Sequence, residues 1–261
     1  MMKRTGRYNA LIMASTLLLA PHAYSQVTQT EVQKLLASDR FSYDEFGWSV
    51  AIDGDTAVIG APKEDDGGTE SNGAAYVFTR SGGTWTHQAK LLASDNASDD
   101  HFGVSVAIDG DTAVIGALSE DDSDTADNGA AYVFTRSAGT WTQQSKLLAS
   151  DKGNHEHFGV SVALDGNTAV IGACRQDDSG TRDNGAAYMF TRSGGTWTEQ
   201  AKLLASDNAS DDRFGVSVAL DGDTAVIGAD WDDDSGNRNN GAAYVFTRSG
   251  GTWSQQAKLL A

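Results

Sequence analysis

The chain repeats itself at a fixed spacing of 56 residues. Phe46-Gly47, Phe102-Gly103, Phe158-Gly159 and Phe214-Gly215 fall in register. So do Lys34, Lys90, Lys146, Lys202 and Lys258, each opening a Lys-Leu-Leu-Ala. No insertion or deletion breaks the register between Lys34 and Ala261. Self-similarity on this scale marks an array in which each repeat is one supersecondary unit. Such a unit buries its apolar faces only by stacking on a neighbour. The repeat constrains function as well. A catalytic site needs different residues in different roles, and near-copies supply the same residues each time. Repeated presentation of one surface suits binding better than chemistry.

The second repeat shows what one unit builds. Val104, Val106 and Ile108 alternate with Ser105, Ala107 and Asp109, and Thr112-Ala113-Val114-Ile115-Gly116-Ala117 follows Asp109-Gly110-Asp111. Period-2 alternation around Asp-Gly reads as a hairpin with a type I′ turn. One face carries Val104, Val106, Ile108, Ala113 and Ile115; the other carries the small Ser105, Ala107 and Gly116 with Val114. A second hairpin runs from Gly129 to Arg136 and returns through Thr140 to Ala149. Arg136 and Trp141 face each other across its turn as a cation–π pair, repeated by Arg80/Trp85, Arg192/Trp197 and Arg248/Trp253. These tryptophans read either as a sugar platform or as braces at the outer edge of a sheet. The expected fold is all-β: a β-propeller of four near-identical 56-residue, four-stranded blades, alone or as part of a larger ring.

Residues 1–25 stand apart. Lys3, Arg4 and Arg7 precede the apolar run Ala10–Ala20, and Ala23-Tyr24-Ser25 offers small residues for cleavage before Gln26. That is the pattern of a secretory signal peptide, and the run is shorter than the ~20 apolar residues of a membrane span. Residues 26–45 then form a lead-in with an extra outer strand. The propeller occupies 46–261, with repeats starting at 46, 102, 158 and 214. The chain carries a net charge of −17, and its leader holds three of the basic residues and none of the acidic ones. Phosphate contacts need Lys and Arg, so a nucleic-acid partner is excluded. Cys174 is the one cysteine and can form no internal disulfide.

The order Phe-Gly-x-Ser-Val-Ala, Ala-Val-Ile-Gly-Ala-Pro and Gly-Ala-Ala-Tyr-Val-Phe resembles the FG-GAP repeat, the blade unit of integrin α-subunit propellers. Phe46-Gly47 and Gly60-Ala61-Pro62 spell it in full; later repeats put Leu118, Cys174 and Asp230 where the proline stands. The resemblance implies a propeller and a non-enzymatic module that adheres to proteins, binds sugars or serves an enzyme as an accessory domain. Members of the family often hold Ca²⁺ between their first two strands. Here that connection is only Asp53-Gly54-Asp55 and its copies, too tight to wrap six to eight oxygens around an ion. Family propellers have seven blades, whereas this chain has four repeats and five Lys-Leu-Leu-Ala copies. Ring closure by a homodimer, or a fragment of a larger propeller, is therefore expected as readily as a closed monomer.

The repeats differ in two loops. One precedes Phe-Gly; the other spans 62–72, 118–128, 174–184 and 230–240 and always holds an Asp pair. In an up-and-down blade both emerge on one side, and loops on one face carry function. The expected binding face therefore comprises Asp99, Asp100, Asp121, Asp122, Asp177, Asp178, Asp211, Asp212, Asp233 and Asp234. Asp65, Asp66, Asp121 and Asp122 are candidate ligands for Ca²⁺, a hard cation that takes oxygen donors; the alternative is a solvated acidic rim of Asx-turns. His155 and His157 suggest zinc but lack further ligands nearby. No Gly-x-Ser-x-Gly, His-Glu-x-x-His or dinucleotide fingerprint is present. The reading is a secreted, periplasmic or cell-surface non-enzymatic adhesion module with an acidic loop face, possible Ca²⁺ dependence and a protein or glycan ligand. A lectin-like propeller is the alternative.

Overall fold

Each repeat folds into one antiparallel sheet whose strands pair in chain order. The computed structural model describes residues 33–122, 125–233 and 238–260. Blade 1 consists of β1 (Val50–Asp53), β2 (Thr56–Ala61), β3 (Ala74–Ser81) and β4 (Thr84–Leu91). Blade 2 consists of β5 (Phe102–Asp109), β6 (Thr112–Ala117), β7 (Ala130–Ser137) and β8 (Thr140–Leu147). Blade 3 consists of β9 (Phe158–Asp165), β10 (Thr168–Ala173), β11 (Ala186–Ser193) and β12 (Thr196–Leu203). Blade 4 consists of β13 (Phe214–Asp221), β14 (Thr224–Ala229), β15 (Ala242–Ser249) and β16 (Thr252–Leu260). The blades lie in the unit Leu35–Ala261. The expected signal peptide lies outside the described residues.

The alternation seen in the sequence sets the faces. Val106 pairs with Ile115, Ala107 with Val114 and Ile108 with Ala113. The large face of one blade packs on the small face of the blade before it: Ile108, Ile115, Tyr132 and Phe134 share a cluster with Val58, Ala75, Val77 and Leu91 of blade 1. The same junction recurs between blades 2 and 3 and between blades 3 and 4. Within each large face the motif Phe meets the strand-three Tyr and Phe edge-on, with centroids 5.5 and 6.0 Å apart in blade 2.

Two local expectations change. The first hairpin turns at Gly54-Asp55, between the pair Asp53 and Thr56, and of the two only the glycine has positive φ. That is the residue pattern of a II′ turn, because I′ needs positive φ at both central positions. The second hairpin meets that requirement, with Gly82 and Gly83 both positive. The described part of the lead-in does not form the extra outer strand: residues 33–37 belong to no strand. The place beside β3 is taken by β4, where Lys90 pairs with Tyr76 and Leu91 with Ala75. Leu35 and Ala37 instead pack against Ile59, Tyr76 and Phe78, as Ala93 packs in the cluster of Tyr132 and Phe134.

Candidate functional site

The β2–β3 loop and the loop before β1 touch, since Lys63 N donates to Asp44 O at 3.4 Å and Tyr76 Oη donates to Asp39 Oδ1 at 2.7 Å. The short turns lie together on the other side, where Arg80 Nε donates to Asp55 Oδ1 at 2.7 Å. The variable acidic loops thus form one face.

At its base each blade holds a lysine inside its carboxylates. Lys90 Nζ lies 2.8 Å from Asp39, 2.7 Å from Glu64 and 2.8 Å from Asp66. Lys146 is held by Asp95, Glu120 and Asp122. Lys202 pairs with Asp151 and Asp178, Gln176 standing where the glutamate was. Lys258 pairs with Asp207 and Asp232. These are the lysines of Lys-Leu-Leu-Ala. Burial alone would lower their pKa, but the carboxylate bonds outweigh it and raise it. Burial alone would likewise raise the carboxyls of Asp39, Asp95, Asp151 and Asp207; the bonds from lysine and tyrosine hold them below their ordinary value. Glu64 and Glu120 stay raised because burial dominates there.

The Asp pairs divide their labour. The first member closes its own loop: Asp65, Asp121, Asp177 and Asp233 accept the backbone N–H of Ser71, Asp127, Asp183 and Asn239 at 2.6–2.7 Å. The second member faces the lysine in Asp66, Asp122 and Asp178, and its own N–H donates to the side chain of Asn72, Asn128 or Asn184. Asp234 lies outside the described residues. The candidate calcium ligands Asp65, Asp66, Asp121 and Asp122 are therefore engaged by backbone N–H groups and lysines. Among the described residues no group of three or more His, Cys, Asp or Glu side chains is placed to hold a metal ion.

In the other loop, Asp99 and Asp211 adopt positive φ, and the side chains of Asp100 and Asp212 turn inward to accept the N–H of Ala97 and Ala209 at 2.6 Å. Burial, with Glu120 and other carboxylates nearby, pushes Asp100 up to about 6. His155 Nδ1 lies 2.8 Å from Asp127, while burial and then Arg175 push His157 down to about 4.

Three of the four paired tryptophans are placed as braces, and Trp85 is half-buried. Trp141, Trp197 and Trp253 are buried, their arginines lie 5.1–5.3 Å over the rings, and each indole N–H donates to Gln88, Gln144 or Gln200 of the blade before.

One feature escapes a reading that counts acids. Between blades 3 and 4 a recess of about 310 Å³ is lined by Arg175, Arg182, Arg213, Trp231, Asp183 and Asp211. Trp231 is exposed, with Arg213 stacked 4.7 Å from its centre. Arg182 is bonded to Asp211 at 2.6 Å, whereas Arg213 holds Asp230 through Nη1 at 3.5 Å and keeps its Nε buried with no partner among the described residues. A second recess shares Trp231 and Asp211 and adds Arg238. The sequence signal was the basic minority: once the periodic lysines and arginines are set aside, Arg175, Arg182, Arg213 and Arg238 crowd into the last two variable loop pairs.

Among the described residues no helix is long and apolar enough to cross a membrane. No curated protein matches the chain. The FG-GAP repeat matches it four times, over residues 29–78, 85–134, 141–190 and 197–246, each match beginning ahead of a Lys-Leu-Leu-Ala. With four such matches, ordered as the four sheets are, the chain belongs to the FG-GAP repeat family.

Proposed function

We infer that this propeller is a secreted, non-enzymatic binding module of the adhesion type, and that it meets its partner with the loop face at the recess around Trp231. The observation that carries the reading is the break in symmetry. The strands of the repeats are near-copies, and the lysines neutralise much of the carboxylate cluster under each loop. The recess between blades 3 and 4 instead gathers three arginines and an exposed indole on an acidic protein. Arginine presents planar paired donors to carboxylates and sulfates, and tryptophan offers a flat apolar wall with a polar edge. The ligand class is therefore a protein or glycan that presents an anionic group beside an apolar or ring-shaped surface. Because lysines sit among the carboxylates, binding needs no divalent cation.

The reading is tested by probing an array of uronic-acid, sulfated and neutral glycans, with acidic and basic peptides alongside. Binding should favour the anionic members. It should fall at least tenfold, about 1.4 kcal/mol, in Arg213→Ala and Trp231→Ala and stay unchanged in Asp121→Asn. Equal loss in all variants, or binding confined to cationic members, would overturn it. A lectin using the tryptophans between blades is disfavoured, because those rings are buried.

A further inference from the structure

The junction between blades is built three times within the chain, and its two halves each stand open once more. Besides the packed clusters, each junction has its own set of bonds. Ser49 Oγ donates to Gly103 O, Ser105 Oγ to Gly159 O and Ser161 Oγ to Gly215 O, each at 2.7 Å. Gly110 N donates to Asp53 Oδ2 at 2.8 Å, and Gly166 N and Gly222 N donate likewise to Asp109 and Asp165. Arg136, Arg192 and Arg248 reach back to Thr56, Thr112 and Thr168 at 2.9–3.2 Å.

On blade 4 the giving half is bare. Ser217, Asp221 and Thr224 are exposed. Val226 is 36% exposed where Val58, Val114 and Val170 are fully buried, and Leu259 is 51% exposed where Leu91, Leu147 and Leu203 are buried. A shallow recess of about 250 Å³ lies there, lined by Ala219, Leu220, Asp221, Thr224 and Val226. In blade 1 the matching positions Ala51 and Val58 share a packed cluster with Ile108 of the next blade. On blade 1 the receiving half is bare along β1, while Ile59, Tyr76 and Phe78 are covered by Leu35 and Ala37. Val50 is 70% and Ile52 65% exposed, whereas Ile108 is 9% exposed.

We propose that the open face of blade 4 receives the open face of blade 1 of a second copy of this chain, repeating the internal junction between molecules. Ile52 of the second copy enters the recess at Val226. Ser217 donates to its Gly47 carbonyl, Asp221 accepts from its Gly54 N–H, and Thr224 accepts from its Arg80. The surface fits this occupant because the same first and second strands already meet at the three internal junctions; only the place of Leu91 and Ala93 differs, being held on blade 1 by the chain's own Leu35 and Ala37. The contact is heterologous: two unlike faces join, so a chain keeps one of each free until a ring closes. It is independent of the loop-face ligand, since the faces lie at the ends of the row of blades.

Light scattering of the purified chain over a range of concentrations tests this, with Ile52→Asp and Val226→Asp beside it. Both substituted residues are exposed, and melting curves with circular dichroism confirm folding; Ala219→Glu, exposed in the same recess, serves as a second blade 4 variant. The wild-type chain should be at least twice the monomer mass. Each variant alone should be a monomer. An equal mixture of Ile52→Asp and Val226→Asp should give a dimer of one of each, because one retains a working blade 4 face and the other a working blade 1 face. A wild-type monomer at every concentration would overturn the proposal. So would a variant that still assembles alone, as when like faces meet. A mixture that stays monomeric would overturn it too.

Discussion

Blades 2 and 3 stand between neighbours, and blades 1 and 4 do not. Ile108 and Ile52 occupy the same place in their repeats, yet one is buried and the other faces solvent. Val114 and Val226 differ in the same way. The strand sequences are near-identical, so the difference owes nothing to propensity or pattern. A propeller blade is apolar on both faces, and only what lies on either side decides whether those faces become a core. Its residues encode a junction rather than a closed body.

The sharpest way to break the comparison uses glycine. A Cβ on Gly116 would fall on the Gly159 carbonyl oxygen, whereas on Gly228 it would meet only the movable Ser217 hydroxyl. Gly116→Ala should cost more than about 4 kcal/mol and Gly228→Ala under about 1 kcal/mol in chemical denaturation of dilute protein. Similar losses at both would show that the end blade is as enclosed as the inner ones. Next in size is the lysine. Lys146→Met leaves Glu120 buried without its counter-charge, at a cost of about 3 kcal/mol, and pairing it with Glu120→Gln should restore most of that. Lys202→Met should cost less, because Gln176 is already neutral there.

Truncation compares the faces directly. Ile108→Ala should lose about 2–4 kcal/mol and Ile52→Ala under about 0.5 kcal/mol in the monomer. A smaller effect is pH-dependent. Asp100 is raised from 3.8 to about 6, so between those values the folded chain binds a proton that the unfolded chain does not. The contribution of Asp100 to stability therefore rises as pH falls from 7 through 6 and stops rising below 3.8, against the opposite slope of His157. Asp100→Asn should remove that slope, worth about 1 kcal/mol after screening; melting temperatures from pH 7 to 5 would show it. The smallest effect concerns calcium. With lysines among the carboxylates, ~1 mM Ca²⁺ after EDTA should barely move the melting temperature, although modules that use the ion bind it in that range. A rise of several degrees would show that the loop face takes the ion.

How much of this was legible in the sequence follows from what a period can carry. Val106, Ala107 and Ile108 reveal the alternation, and Arg136 with Trp141 reveal the second hairpin, because strand pairing is local and repeated. The turn at Gly54-Asp55 was misplaced by one residue, a shift that leaves every face unchanged and so leaves no trace in the pattern. Lys90 and its copies were read only as the first residue of each Lys-Leu-Leu-Ala. Their partners lie in other loops, such as Asp39 and Glu64, and only the folded blade brings these within reach. Trp231 and Arg213 come from loops on either side of the β13–β14 hairpin, and their stacking is invisible to any count of charges. The repeat count raised the question of open ends, but which residues they bare could not be read, since Ile52 and Ile108 sit in matching strands.

The lysine staple has a genetic consequence. Asp39, Asp95, Asp151 and Asp207 each precede the blade whose tyrosine and lysine they tie, so every 56-residue unit brings its own fastening along. Deleting or adding a whole 56-residue unit leaves every remaining staple complete. The number of blades can change in one step while both end faces keep their chemistry.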